Sequence, residues 1–248
     1  MTSVAPAAAT ARNPSPLTAD YSRRVLAELL GSALLTLVVV GSGIMAGQLS
    51  PKDTGLQLLE NSIATALGLA VLILIFSPVS GSHFNPIVSI ADATLGHRSW
   101  RDVAGYIPAQ ILGCIVGAIL SNLMFGLDAI TFSTKDRQDP AFLIGEVVAT
   151  AGLVLLIFSL ARTGRGHLAP IAVGSYIGAA YWFTSSTAFA NPAIAIGRMF
   201  SDTFAGISPT AVPGFVAAEI AGGALGLVLV LILFPRTTPP HASTLANV

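Results

Sequence analysis

Charged residues and cysteines are both scarce in this sequence of 248 residues. Asp, Glu, Lys and Arg make up only 10% of the chain and their formal charges cancel, which indicates no basic surface for a nucleic-acid partner. The single cysteine, Cys114, excludes an intrachain disulfide and is expected to pack as a small hydrophobic residue. Hydrophobic residues reach 53%, which is too many for an ordinary soluble domain. The composition therefore predicts a multi-pass membrane protein.

Six hydrophobic stretches approach the length of about 20 residues that a membrane-spanning helix needs. They are residues 25–45, 58–79, 103–125, 142–161, 171–187 and 212–234. Most basic residues fall on one side of this topology, namely Arg12, Arg23, Arg24, Arg98, Arg101, Arg162, Arg165 and Arg236. The positive-inside rule then predicts a cell-membrane protein with both termini in the cytoplasm. Residues 1–21 and 235–248 are expected to be flexible cytoplasmic tails around a single domain at 22–234.

Two Asn-Pro pairs, Asn85-Pro86 and Asn191-Pro192, fall outside the six spans. Each is a strong helix-start signal, because Asn caps a free backbone N–H and Pro has the φ angle of the first helical position. The apolar segments around them, residues 84–95 and 189–200, are too short to cross a bilayer at about 1.5 Å per residue. They are therefore predicted to be re-entrant half-helices, which need to be buried in protein or to line water.

The sequence repeats itself around these two motifs. Residues 104–113 of the third span match residues 213–222 of the sixth, and Glu28 and Glu146 stand at matching places in the first and fourth. Each half, about 22–125 and 140–234, holds three spans, so the two copies have opposite orientations in the membrane. The predicted fold is an all-α membrane protein with six transmembrane helices and two re-entrant half-helices in an inverted repeat.

Several polar residues inside the predicted spans are candidates for supporting the re-entrant loops. An unpaired charge is costly there, so Glu28 and Glu146 are each expected to accept backbone N–H groups of the loop in their own half. Gln110 and Glu219, paired by the repeat, are expected to do related bracing work. His83 either lines the mouth of a pore or braces its loop. The sequence indicates no metal site and no cofactor.

This arrangement resembles the aquaporins, the major intrinsic protein superfamily, along residues 25–234. The resemblance implies a channel domain in which the half-helices meet tip to tip and Asn85 and Asn191 direct side-chain N–H groups into a narrow pore. Two helix N-termini, each with a partial charge of about +0.5, then oppose protons and cations. The resemblance also implies a homotetramer in the lipid bilayer with one pore per subunit. The motifs that carry it are Asn85-Pro86-Ile87 and Asn191-Pro192-Ala193.

The selectivity positions depart from the commonest pattern of that family. Family members usually carry an Arg three residues after the second Asn, but here that position is Ile194 and the nearest arginine is Arg198. Arg198 is expected one helical turn, about 5.4 Å, further toward the outer vestibule. In the fifth span, two ways of counting give either Tyr181 or Ala179. The filter ring implied by the resemblance consists of Thr65, Tyr181, Ala188 and Ile194.

A ring with two small residues and no guanidinium is expected to be wider and less polar than a strict water filter. The predicted function is a passive channel for small neutral solutes, namely glycerol, urea and water. Likeness to bacterial aquaglyceroporins associated with arsenic resistance adds arsenous acid and methylated arsenicals. The loop at 126–140 is expected to be a solvated outer loop.

Other functions fit the sequence less well. A strict water channel is the main alternative. An ion-coupled secondary transporter needs a coupling-ion site, whereas the repeat pairs the mid-span ionisable residues with structural positions. An intramembrane enzyme built on Ser82 and His83 lacks a Gly-x-Ser-x-Gly elbow.

Overall fold

A computed structural model describes residues 16–235, which are helical apart from their connecting loops. The helices are α1 (Pro16–Leu49), α2 (Thr54–Ser80), α3 (Pro86–Thr94), α4 (Trp100–Met124), α5 (Pro140–Arg162), α6 (Ala169–Phe183), α7 (Pro192–Arg198) and α8 (Val212–Leu233). A 3-10 turn, Gly166–Leu168, leads into α6. The predicted all-α membrane fold with two half-helices is confirmed. Helix α1 begins before the predicted domain boundary at residue 22, and most of both predicted tails lies outside the described residues.

Five of these helices, α1, α2, α4, α5 and α8, are long and apolar enough to cross a membrane. Helix α6 has 15 residues, about 22 Å at the usual rise, and so falls short of the hydrocarbon thickness of about 30 Å. The predicted fifth span, 171–187, was wrong at its end. The helix stops at Phe183 because Thr184 takes an extended conformation, and its hydroxyl donates back to the Ala180 carbonyl at 2.7 Å.

The outer surface of the bundle is hydrophobic, as a lipid-facing surface should be. On α2, Ile63, Leu67, Val71 and Leu74 recur at helical spacing and are all more than half exposed. Such a stripe would favour aggregation in water, but hydrocarbon solvates it. The polar groups of these helices are instead turned toward the interior of the bundle.

The inverted repeat is visible in the packing of the helices. Helix α4 lies against α1, and α8 lies against α5 in the same way. In both pairs two glycines bring the backbones together, since a Cβ at these positions would collide with a carbonyl oxygen of the partner helix. The four approaches are Gly113 to Leu29, Gly117 to Ala33, Gly222 to Val147 and Gly226 to Ala151. Cys114 is buried in the α1–α4 seam, where its thiol approaches the Ser32 carbonyl.

The half-helices α3 and α7 begin where the Asn-Pro pairs predicted. The Asn85 side-chain oxygen accepts the backbone N–H of Ile87 at 2.9 Å, and that of Asn191 accepts Ala193 N–H at 3.0 Å. Both segments are mostly buried, with α3 against α4 and α8 and α7 against α4, α8 and α1. Non-helical backbone at this depth is thus enclosed in protein.

Candidate solute pore

The loops that precede the two asparagines have matching, strained backbones. Ser82 and Phe84 have φ angles of 53° and 48°, and Ala188 and Ala190 have 49° and 48°. In each half, the first of these residues lies three positions before the asparagine and the second lies one position before it. Each left-handed non-glycine residue costs about 1–3 kcal/mol. The loops therefore need strong partners to hold them.

Glu28 holds the first loop. One of its carboxylate oxygens accepts the His83 N–H at 3.0 Å and the other accepts the Phe84 N–H at 2.7 Å. The Ser80 hydroxyl and the Gln110 side-chain amide also donate to it, at 2.6 and 2.8 Å. The carboxylate is fully buried. A charge that would be costly at this depth is thus fully hydrogen-bonded.

Glu146 holds the second loop in the same way. Its two oxygens accept the N–H groups of Phe189 and Ala190 at 2.9 and 2.6 Å. Glu219, at the position that the repeat matches to Gln110, accepts the Asn191 N–H at 2.9 Å.

The two loops are joined directly through their asparagines. Asn85 Nδ2 donates to the Ala190 carbonyl at 2.6 Å, and Asn191 Nδ2 donates to the Phe84 carbonyl at 2.7 Å. Each asparagine thus binds the residue that precedes the other one. Because a side-chain amide carries two N–H groups, the second remains to face the space beside the loops.

That space is a cavity of about 280 Å³. Both asparagines line it, together with the four residues of the predicted ring, Thr65, Tyr181, Ala188 and Ile194. The hydroxyl oxygens of Thr65 and Tyr181 lie 3.2 Å apart and form a polar edge. Ala179, the alternative to Tyr181, is exposed on the outside of α6. Much of the remaining lining is apolar and includes Leu35, Val39, Leu69, Leu153, Val173 and Ile177.

Arg198, which was expected further toward the outer vestibule, is part of the cavity lining. It is only 2% exposed and lines the same cavity as the ring. Its Nε donates to the Ala205 carbonyl, and its guanidinium carbon lies 3.4 Å from the centre of the Phe189 ring. The side chain is therefore fixed by the segments on either side of α7.

The loop between α4 and α5 is largely exposed, as predicted, but two of its basic side chains fold inward. Arg137 is 6% exposed and donates to the carbonyls of Gly206 and Ser186, both at 3.1 Å. Lys135 Nζ donates to the Phe204 carbonyl at 2.7 Å. Burial lowers the pKa of Arg137 to about 10 and that of Lys135 to about 8. Sequence reasoning missed both residues, because the composition of a charged loop does not show which side chains fold inward.

The other end of the cavity carries an ion-pair cluster around Asp92. The ring of His83 lies between Ser89 and Asp92, with its Nδ1 3.0 Å from the hydroxyl and its Nε2 3.3 Å from the carboxylate. Arg98 and His97 approach the same carboxylate at 3.4 and 3.2 Å. His83, Asp92 and Arg98 all line the cavity. Both readings of His83 thus describe its place, since it braces its loop and also borders the cavity.

A bundle of membrane-spanning helices in which two half-helices enclose an Asn-lined cavity is the architecture of a membrane channel. The family model described as major intrinsic protein matches residues 17–187. The chain is 48% identical to aquaglyceroporin AqpS of Rhizobium meliloti (strain 1021) over 220 residues, which cover 89% of this chain and 94% of that protein. The chain therefore belongs to the major intrinsic protein family, whose members are channels and not enzymes.

Two further comparisons agree with this assignment. The chain is 37% identical to a probable glycerol uptake facilitator protein of Thermotoga maritima over 133 residues, or 53% of this chain and 56% of that protein. The X-ray structure of the aquaglyceroporin from Plasmodium falciparum matches with a TM-score of 0.63 at 18% identity, covering 85% of this chain and 95% of that one. At that identity the match shows the shared fold alone.

Proposed function

We propose that this protein is a passive channel for small neutral solutes, with glycerol, urea and water as its main substrates. The observation that carries the proposal is the cavity, whose lining combines two asparagine amides and a hydroxyl pair with many apolar side chains. A polyol is complementary to this lining, since it has hydroxyls along one edge and a carbon backbone along the other. Its oxygens would exchange water for the asparagine N–H groups while its carbons pass the apolar side chains.

The same geometry supports exclusion of cations. The N-termini of α3 and α7 point at each other across the asparagines, and each carries a partial positive charge of about +0.5. A cation at that point would lose its hydration and face two positive ends. A neutral solute loses only hydrogen bonds, which the asparagines replace.

The ring of Thr65, Tyr181, Ala188 and Ile194 acts in this proposal as the selectivity filter. Ile194 and Ala188 give it an apolar side, which favours solutes with a hydrophobic face over water alone. Arsenous acid and methylated arsenicals are compact and neutral and meet the same requirement, so they extend the proposed substrate range. The names of the relatives, aquaglyceroporin and probable glycerol uptake facilitator, are consistent with glycerol as one member of this range.

The assembly in the membrane is part of the proposal. The distribution of arginines favours a cell-membrane protein with both termini in the cytoplasm, which makes the Asp92 end of the pore cytoplasmic and the Arg198 end external. The proposed unit is a single channel domain at about 22–234, and the proposed assembly is a homotetramer whose subunits each hold one pore.

Stopped-flow light scattering on proteoliposomes of the full chain tests the function. Glycerol and urea are expected to enter much faster than into empty liposomes, with a low activation energy. Asn191→Asp should reduce this flux, because a carboxylate cannot donate N–H groups to the solute or to Phe84. Gln138→Glu is a matched amide-to-acid control, since Gln138 is exposed on the loop between α4 and α5 and does not line the cavity.

Three other results would contradict the proposal. Fast water flux without glycerol flux would indicate a strict water channel. Saturable uptake that depends on a proton or sodium gradient would indicate a transporter. Flux no faster than that of empty liposomes for every solute would reject the channel itself.

A further inference from the structure

The two half-helices carry opposite charges at matching positions. Asp92 lies seven residues after Asn85, and Arg198 lies seven residues after Asn191. Both charged side chains line the cavity, and because the half-helices run away from each other they stand toward opposite ends of it. The repeat therefore places a pore-facing residue at this position in both halves.

The two charged side chains differ in the groups that surround them. Asp92 is surrounded by the three basic side chains described above. Arg198 forms no ion pair with a carboxylate within residues 16–235, and its contacts are the Ala205 carbonyl and the face of Phe189. A carbonyl and an aromatic ring orient a guanidinium but leave its positive charge in place.

Arg198 lines the cavity, and its terminal amino groups form no hydrogen bond with the described residues. Only Nε is engaged by the protein in the described part of the chain. Arg198 lines the same cavity as Tyr181, a member of the proposed ring. Arg137 lies 5.0 Å from the same Phe189 ring and adds a second positive charge to this end.

We propose that Arg198 is the cationic member of the selectivity filter and contacts solute from one helical turn beyond Ile194. Its terminal N–H groups bind the hydroxyl or carbonyl oxygens of a passing neutral solute, and its charge, with that of Arg137, repels cations at this end. The filter thus has a guanidinium although the position after the second motif holds isoleucine. This inference rests on the proposed channel function.

The test compares Arg198→Gln with the wild type in proteoliposomes of the full chain. Three permeabilities are measured, for water, for glycerol and for the permanently charged guanidinium ion. Arg198→Gln should still conduct glycerol, with a higher ratio of glycerol to water permeability, because a neutral amide binds water less strongly than a guanidinium. Its guanidinium permeability should rise by about tenfold or more, since a unit charge a few ångströms away dominates the barrier to a cation.

Two further variants make the result specific. Arg101→Gln removes an exposed cation that stacks on Tyr21 away from the cavity, and its three permeabilities should match the wild type. The double variant Arg198→Gln with Ile194→Arg returns a guanidinium to the pore wall and should restore exclusion of the guanidinium ion. A folded Arg198→Gln that conducts glycerol and keeps both wild-type selectivities would overturn the inference while leaving the channel function intact.

A second substitution covers the case in which Arg198→Gln does not fold. Arg198→Lys keeps the charge but loses the flat group that stacks on Phe189. It should still exclude the guanidinium ion but show an altered ratio of glycerol to water permeability. A wild-type ratio in this variant would also overturn the inference. A wild-type protein that conducts no neutral solute would overturn the proposed function and this inference together.

Discussion

Replacing Glu146 by alanine should destabilise the second loop by an amount that can be worked out from its hydrogen bonds. Glu146 is fully buried and accepts two N–H groups, those of Phe189 and Ala190. Alanine leaves both donors unpaired, and each buried unpaired donor costs about 1–3 kcal/mol. We therefore expect a loss of about 2–6 kcal/mol, against a backbone that is already strained at Ala188 and Ala190.

Variants that lose more of these hydrogen bonds should be less stable, which gives a fixed order of stability. Glu146→Gln keeps one acceptor oxygen and leaves one donor unpaired, which costs about half as much as the alanine variant. Glu28→Ala should cost more than Glu146→Ala, because Glu28 also accepts from Ser80 and Gln110. The order of stability is then wild type, Glu146→Gln, Glu146→Ala, Glu28→Ala.

The assay is the temperature at which detergent-solubilised protein loses its monodisperse peak in size-exclusion chromatography. Heating a membrane protein in detergent is often irreversible, so the order of midpoints is compared rather than a free energy. Glu60→Ala is the control, since its carboxylate accepts one hydrogen bond, from Ser50, and lies away from both loops. A Glu146→Ala protein as heat-stable and as permeable to glycerol as the wild type would refute the support role.

Three further substitutions test the filter, the repeat and the helix packing. Ile194→Arg should narrow the ring and raise the ratio of water to glycerol permeability in proteoliposomes, and unchanged glycerol flux would count against the filter assignment. Glu219→Gln should keep wild-type flux and heat stability, because Gln110 already donates to a glutamate at the matching place, and a loss of either would show that Glu219 does something else. Gly226→Ala would put a Cβ 2.6 Å from a carbonyl of α5 and should lower the yield of folded protein, whereas Gly47→Ala meets nothing within 4 Å and should not.

The parts of the fold that could be predicted from the sequence are those that the repeat encodes twice. Asn85 and Asn191 each carry a helix-start signal that depends only on neighbouring residues, so their caps follow from local chemistry. Glu28 and Glu146 could be assigned to their loops from their hydrogen-bonding needs. A buried carboxylate in a span needs hydrogen-bond donors, and the re-entrant backbone has N–H groups that need acceptors. A single Asn-Pro pair would indicate only the start of a helix, whereas two pairs at matching places in a repeat indicate paired half-helices.

The parts that could not be predicted depend on tertiary contacts. Arg137 is buried only because the segment at 199–208 folds back over the loop that carries it, and no local pattern records that contact. The end of α6 depends on where the chain leaves the helix, at Thr184, and the choice between Tyr181 and Ala179 depends on which face of α6 the bundle buries. The charged pair at Asp92 and Arg198 was different, since their equal spacing from the asparagines was present in the sequence.

That pair also shows why the two halves of an inverted repeat need not act alike. Symmetry fixes where the side chains of Asp92 and Arg198 stand, at matching steps along α3 and α7. The surrounding groups then decide what each charge does, because Arg98 pairs with Asp92, which two histidines also approach, whereas Arg198 has a second cation, Arg137, nearby. If the two ends of the channel carried equal charge, a cation would meet the same electrostatic barrier from either side. Here the Arg198 end is the more positive, so cations should be rejected at that end before they reach the asparagines.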